Sequence, residues 1–320
     1  MTGRIETRPF AAEHVAPAGE LLAARHRAHR AAEPLLSTRY EDPAACTAEI
    51  EALAAADAAS GAVGLRDGRV VAFVLGTHKD DAVWGPNVWI ENAGHAAEEP
   101  EELRDVYAAA AARWVLDGRV RQYALVPAPA TALVDAWFRL GFGLQHAYGI
   151  REVAKVPWPA GVRHAEPRDV DALLELSPLL GQHQDRSPVF GAGVNRDPDE
   201  DALRAEILED LANPQIADLV AERHGRIVGA FQNVPVELSS VHAALARPDG
   251  AALLGWAATR PDVRGSGAGL ALTEATFAWA HKHGYATIVT DWRVTNLLSS
   301  RFWPRRGFRP SFLRLYRHIP

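Results

Sequence analysis

Ala251-Ala-Leu-Leu-Gly-Trp-Ala-Ala-Thr-Arg-Pro-Asp-Val-Arg-Gly-Ser-Gly-Ala-Gly-Leu270 is the stretch of the chain that decides its fold. The apolar run up to Thr259 predicts a buried strand, and Pro261-Asp262 is typical of a turn. Apolar residues recur at helical spacing beyond the glycines, so the loop is expected at a helix N-terminus. Unbonded amide groups and the helix dipole make such a terminus attractive to a phosphate. The stretch therefore predicts a strand, a phosphate-binding loop and a helix.

The composition indicates globular domains. Of the 320 residues, 48% are hydrophobic and 23% are charged, which suits two domains of ordinary size. The net charge is −6, and no basic cluster with interleaved aromatic residues occurs, so no nucleic-acid partner is expected. The sequence has neither an apolar run of about eighteen residues nor a signal-peptide core, which predicts a cytoplasmic protein without a membrane partner. Its single cysteine, Cys46, excludes an internal disulfide, and no metal site is predicted.

The order of predicted elements occurs twice along the chain. A helix at residues 195–211 repeats the one that follows residue 39, and a hairpin around Gly225 repeats the hairpin around Asp67-Gly68. Trp137 and Trp303 each stand four residues before a Gly-Phe pair. The proline-rich segment 155–161 is the expected linker between domains 1–154 and 162–320. Each domain is predicted to be α+β (mixed α/β), with a mostly antiparallel twisted sheet flanked by helices.

Three features of the second copy follow one another in a characteristic order. Arg264-Gly-Ser-Gly-Ala-Gly269 follows a strand, a second strand is expected at residues 285–292, and a helix containing Asn296 leads to Gly307-Phe308. In this order they resemble the GNAT superfamily of acyl-CoA N-acyltransferases, whose pyrophosphate loop reads Arg/Gln-x-x-Gly-x-Gly/Ala. The tandem layout also resembles that of the mycothiol synthases in this superfamily. A dinucleotide fingerprint is disfavoured, because Leu270 stands where such a motif needs glycine.

The resemblance implies acetyl-CoA (coenzyme A) as the acyl donor, bound where the strands before and after the loop splay apart. Backbone groups near Trp256 would bond the pantetheine arm, the loop amides and Arg264 would hold the pyrophosphate, and Asn296 would contact the pantetheine. The implied cofactor-binding residues are Ala257, Ala258, Thr259, Arg264, Gly265, Ser266, Gly267, Ala268, Gly269 and Asn296.

Transfer of an acetyl group to an amine requires a base that takes a proton from the ammonium. Asp291 holds the position at which family members often carry an acid, and it is the first candidate base, acting directly or through water. An exposed or salt-bridged carboxylate is the alternative interpretation. Glu237 is a second candidate for a catalytic role. Trp303 replaces the tyrosine that many relatives carry, so the general acid stays open, with Tyr285 and Tyr316 as candidates by residue type.

The expected acceptor is the amine of a small-molecule metabolite. The candidate residues for binding it are His183, Asp185, Phe190 and Trp303. Solvated side chains at the first three positions, and packing of Trp303 under the Gly-Phe corner, are the alternatives. A catalytically silent acyl-CoA-binding or sensing module and a protein N-terminal acetyltransferase are the competing functions, and the oligomeric state is not predicted.

The first copy lacks the phosphate loop. Residues 92–103 occupy its place and contain four glutamates, which would repel a pyrophosphate. Ala130 stands at the position equivalent to Asn296. The first domain is therefore predicted to be degenerate, with a structural role or a role in the substrate cleft, where Glu91 could contribute.

Overall fold

The structure, a computed structural model, describes residues 5–56, 58–81, 85–191 and 199–320. The chain forms two compact units, each a mixed α/β arrangement with a mostly antiparallel sheet flanked by helices, as predicted. The first unit comprises Met1–Tyr148, Ala243–Arg247 and Pro310–Pro320, and the second comprises Gly149–His242 and Pro248–Arg309. The predicted linker 155–161 falls inside the second unit. Across the described ranges, no helix has the length and apolar character needed to cross a membrane.

In the first unit, two α-helices follow the first strand, and four consecutive strands precede the next α-helix. Its strands are β1 (Glu6–Pro9), β2 (Ala59–Arg66), β3 (Arg69–Asp81), β4 (Gly85–Ile90), β5 (His95–Ala97), β6 (Arg121–Pro127) and the C-terminal β13 (Arg309–His318). Its helices are α1 (Val15–Ala32), α2 (Pro43–Ala54), α3 (Pro100–Leu116) and α4 (Thr131–Arg139). The sheet order is β1-β2-β3-β4-β6-β13, and β5 pairs with β3.

The β2–β3 hairpin of the first unit forms at the predicted turn. Asp67 and Gly68 have positive φ angles of 52° and 78°. A two-residue turn with both central residues at positive φ matches the twist of the flanking strands, which is why an Asp-Gly pair favours it. The apolar faces of this sheet and of α3 enclose a core that includes Tyr107, Trp114 and Trp137.

The second unit repeats this plan. Its strands are β7 (Gly143–Glu152, of which the residues from Gly149 onward belong to this unit), β8 (Val162–His164), β9 (Ala217–Arg223), β10 (Arg226–Pro235), β11 (Ala252–Thr259) and β12 (Thr287–Arg293). Its helices are α5 (Val170–Leu176), α6 (Pro178–Gln184), α7 (Glu200–Ala212), α8 (Ala268–Lys282) and α9 (Ser299–Phe302). The sheet order is β7-β12-β11-β10-β9-β8. Of the helix predicted at 195–211, residues 195–198 lie outside the described residues.

Both units close their last helix with the same corner. The rings of Trp137 and Phe142 meet edge-on with centroids 4.8 Å apart, and those of Trp303 and Phe308 do so at 5.6 Å. In each case the phenylalanine amide donates to the tryptophan carbonyl, at 3.3 and 3.2 Å. The intervening glycines have φ angles of 85° and 84°. The repeat seen in the sequence is thus a repeat of backbone geometry.

The helix predicted between Asn296 and Gly307-Phe308 is shorter than expected. Only Ser299–Phe302 is α-helical, and a 3₁₀ turn follows at Pro304–Arg306. Pro304 has no N–H, and its ring would clash with the carbonyl group four residues earlier in an α-helix. The proline therefore ends the helix and starts the tighter turn.

Candidate active site

Two parallel strands of the second unit separate part of the way along their length. β11 and β12 pair at Ala252 with Ile288 and at Leu253 with Val289. No further pair between these two strands occurs in the described ranges. The strands therefore diverge after Val289, where the splay is expected, and they leave a gap between them.

The backbone of β11 changes at the point of divergence. Thr290 Oγ1 donates a hydrogen bond of 2.9 Å to the Leu254 carbonyl. On its other side β11 stays paired with β10, but Gly255 is unmatched between the pairs made by Leu254 and Trp256, so the strand bulges there. From Trp256 to Thr259, β11 has a strand partner on the β10 side, and its other edge borders the gap. The predicted pantetheine-binding residues Ala257, Ala258 and Thr259 lie on this half of the strand.

The glycine loop lies where β11 leads into α8. Gly265 and Gly267 have φ angles of 80° and 90°, which side-chain-bearing residues adopt at a cost. α8 begins at Ala268, so the amide groups of Ala268 and Gly269 have no carbonyl one turn earlier to bond. The loop thus presents backbone donors together with the positive end of a 15-residue helix.

Arg223, at the end of β9, contacts the loop, and the sequence does not predict this contact. Its Nη2 donates a hydrogen bond of 2.6 Å to the Ser266 carbonyl. A Cβ atom added to Gly267 would lie 3.7 Å from the same nitrogen. Arg223 and the exposed Arg264 together give the loop two guanidinium groups. Arg223 is 43 residues from Ser266, and no local sequence pattern signals such a contact.

Asn296 and His183, predicted for different roles, are brought together. Asn296 is 3% exposed, and its Oδ1 accepts hydrogen bonds from the amides of Leu298 at 3.0 Å and Ser299 at 3.3 Å. His183 Nε2 lies 3.1 Å from the same oxygen. The asparagine therefore supports the start of α9 and contacts α6 at the same time.

A second contact holds α6 against the end of β12. Arg293 Nε donates a hydrogen bond of 3.0 Å to Gln184 Oε1. Asp291, two residues earlier on β12, is on the same face of the strand as Arg293 and is partly exposed. Since Asp291 also lies two residues beyond Val289, where pairing with β11 ends, the candidate base stands where the strands part.

Glu237 lies at the end of β11 that is remote from the loop. It is exposed in the turn after β10, whose last pair joins Pro235 to Ala252 at the start of β11. Burial, together with the negative charge of Glu237, raises the pKa of Tyr285. Tyr316, the other candidate acid, lies on β13 of the first unit. The structure therefore brings Glu237 to Tyr285, at the opposite end of β11 from the glycine loop.

The remaining candidates for acceptor binding differ in exposure. Asp185 is exposed at the end of α6, where its amide bonds the Gly181 carbonyl at 3.0 Å. Phe190 is 71% exposed and has a φ angle of 45°. Trp303 is 5% exposed, and its ring packs against Phe231 and Phe308, which places it in the core of the unit.

The first unit has no corresponding gap among its described residues. β4 and β6, the counterparts of β11 and β12, pair in parallel from Asn87 with Arg121 to Ile90 with Ala124. The chain then turns back as β5. Arg25, on α1, donates hydrogen bonds to the carbonyls of Asn92 and His95. Burial lowers the pKa of Arg25 to about 9, which leaves it charged at neutral pH.

The start of α3 is also occupied by groups of the chain itself. Pro100 occupies the first helical position and has no N–H to offer. A carboxylate oxygen of Glu102 accepts a hydrogen bond of 3.2 Å from the Glu99 amide, and the same carboxylate pairs with Arg66. This helix start therefore carries internally paired negative charge, where the second unit offers backbone donors and arginines.

Comparison with known proteins gives a family match in the second half of the chain. Residues 182–308 match the acetyltransferase (GNAT) family. A GCN5-related N-acetyltransferase from Sphaerobacter thermophilus is similar in structure, with 15% identity and a TM-score of 0.59 over 99% of this chain and 96% of that one. A tandem GNAT protein from the clavulanic acid biosynthesis pathway is 14% identical, with a TM-score of 0.50 over 99% of each chain. No curated protein sequence matches.

Proposed function

We propose, from the acetyltransferase (GNAT) family domain that this chain contains at residues 182–308, that the protein is an acetyl-CoA-dependent N-acetyltransferase. Its acceptor is the amine of a small-molecule metabolite. One observation carries the proposal. β11, which borders the gap, leads through one short turn into the glycine loop at the start of α8. A site of this kind suits a ligand with an extended arm and a pyrophosphate, as coenzyme A has.

The residues around the gap fit the parts of coenzyme A. The loop at residues 265–269 offers unbonded helix-start amides to a pyrophosphate, and Arg223 and Arg264 supply positive charge beside it. The free edge of β11 offers backbone groups to the amides of the pantetheine arm. Since Asn296 Oδ1 is engaged by α9 and His183, the Nδ2 group of Asn296 is the donor left for that arm.

The acceptor must reach the gap as an amine that has lost a proton. Two groups near the end of β12 can take that proton by their chemistry: the carboxylate of Asp291 and the imidazole of His183. Asp185 and Phe190 are exposed in the same segment as His183, and in this proposal they contact the rest of the acceptor.

The first unit serves as a scaffold in this proposal. Arg25 ties down the segment that replaces the loop, and Glu102 places negative charge at the start of α3, so coenzyme A binds once per chain. The reaction involves small molecules in the cytoplasm and needs neither a nucleic acid nor a membrane.

The test is a screen of amines that follows thiol release from acetyl-CoA. Small metabolite amines, amino sugars and peptides with free N-termini are each tested as acceptors with the whole 320-residue chain and with its Gly267→Val variant. We expect release with at least one small amine and none with the variant, because valine at a φ of 90° distorts the loop.

Other outcomes would replace the proposal. Turnover of peptides alone would identify a protein N-terminal acetyltransferase. Binding of acetyl-CoA without turnover of any amine, with Asp291→Asn behaving as the parent, would identify a silent acyl-CoA-binding or sensing module.

A further inference from the structure

The contact between Asn296 and His183 determines which nitrogen of the histidine carries a proton. Two backbone amides, those of Leu298 and Ser299, donate to Asn296 Oδ1. This identifies the side-chain atom as the oxygen, because an amide nitrogen has no free acceptor for them. An oxygen that only accepts requires a donor from His183, so Nε2 bears hydrogen. In the neutral ring, Nδ1 then carries the lone pair.

We propose that His183 Nδ1 is the base that deprotonates the acceptor amine and that Asn296 is the positioning residue that keeps it in the base-competent tautomer. This inference rests on the acetyltransferase function proposed above. It has the general form of an activated catalytic histidine, in which a third group orients the base through its other nitrogen.

The helix that carries His183 is held at two adjacent residues. His183 bonds the turn after β12 through Asn296, and Gln184 bonds Arg293 at the end of β12. The Gln184 carbonyl also accepts a hydrogen bond of 2.8 Å from the Gly191 amide. Because both side chains and the backbone are fixed, the imidazole is oriented before any ligand arrives, as an effective general base requires.

In this transfer, the proton that His183 takes from the acceptor is later given to the departing sulfur. The reaction therefore needs no tyrosine at position 303 as the general acid. The acceptor ammonium gives one proton to His183 Nδ1, and its nitrogen lone pair then forms a bond to the thioester carbon. The carbon–sulfur bond breaks with its electron pair on sulfur, and the imidazolium returns its proton to that sulfur. The second proton lost by the nitrogen goes to water. The products are the amide, coenzyme A as a thiol and one released proton.

The tautomer can be measured without any turnover. Two-bond proton–nitrogen correlation spectra of ¹⁵N-histidine-labelled protein, with the His183 signals assigned by their loss in His183→Gln, report which nitrogen is protonated. We expect the Nε2–H form in the parent at neutral pH and loss of that preference in Asn296→Ala. A predominant Nδ1–H form in the parent would overturn the proposal.

Kinetics then test the role of the base. The amide side chain in the variant His183→Gln can still donate to Asn296 but cannot take a proton, so we expect kcat to fall by about 10²–10⁴-fold with unchanged acetyl-CoA affinity. In His183→Ala, added imidazole should restore part of the rate. His281→Gln, at an exposed histidine on α8, is the matched control and should keep the parental rate.

These outcomes distinguish the base role of His183 from the acetyltransferase function on which it rests. A parental kcat in His183→Gln, or a change confined to KM, would overturn the base role of His183 while leaving the acetyltransferase function intact, and loss of turnover in Asp291→Asn would then assign the role to that carboxylate. No turnover by the parent with any amine would overturn the proposed function, and the base role with it.

Discussion

At the scale of single residues, the two units differ at the start of an equivalent helix, which is α3 in the first unit and α8 in the second. In α8 the helix starts after Gly267, and its first amide groups have no acceptor one turn earlier in the helix. In α3 the Glu102 side chain is 7% exposed. Its carboxylate accepts a hydrogen bond from the Glu99 amide and pairs with Arg66. A carboxylate that closes a helix start stabilises the fold and at the same time removes an anion site.

The variant Glu102→Ala tests the stabilising role of this carboxylate. The Glu99 amide would lose its acceptor and Arg66 its most buried partner, so we expect the free energy of unfolding to fall by about 2 kcal/mol. Urea titration followed by circular dichroism measures it. Glu101→Ala is the matched control, since Glu101 is an exposed neighbour whose ion pairs contribute little. Equal effects of the two substitutions would contradict this account.

At the scale of elements, α1 buries a face that is rich in titratable groups. His26 and His29 are both nearly inaccessible, and the ring of His29 meets Phe312 edge-on at 4.7 Å. Burial, with the nearby charge of Arg25 and the ring of His26, lowers the pKa of His29 to about 3. Burial also lowers the pKa of His26. This helix is therefore packed with neutral imidazoles.

A dependence of stability on pH follows from this packing. Between the unfolded pKa of about 6.5 and the folded pKa of about 3, the unfolded chain binds a proton at His29 that the folded chain does not. The free energy of unfolding should therefore fall as the pH drops through this window, by about 1.4 kcal/mol per pH unit for this one group. Urea titrations at several pH values measure the slope.

The variant His29→Leu assigns that slope to the residue. A leucine keeps the apolar contact with Phe312 and has no proton to bind, so the slope should decrease by the contribution of one group. His281→Gln, at an exposed position, should leave it unchanged. A His29→Leu slope equal to that of the parent would show that this histidine is not the source.

At the scale of the whole molecule, the parts predicted from the sequence are those that depend on local chemistry. The hairpin at Asp67-Gly68 forms at the predicted turn because both residues accept positive φ. The helix after Asn296 is shorter than the sequence pattern predicts, because Pro304 ends it.

The parts that escaped prediction depend on contacts between distant segments. Arg223 reaches the loop across 43 residues, and His183 reaches Asn296 across 113. β5, which follows the turn after Asn92, has only three residues, so it is too short to show the alternating sequence pattern of a strand. The C-terminal β13 joins the sheet of the first unit beside β6, a pairing that the order of elements along the chain does not reveal.

The most direct test of the central claim is a calorimetric titration of the full chain with acetyl-CoA, comparing the parent with Gly267→Val and Gly284→Val. Both glycines have positive φ, 90° and 81°, so both substitutions strain the backbone at an end of α8, but only Gly267 belongs to the loop. We expect one site per chain in the parent, loss of binding in Gly267→Val and parental affinity in Gly284→Val. Two equal sites per chain, or parental affinity in Gly267→Val, would contradict it.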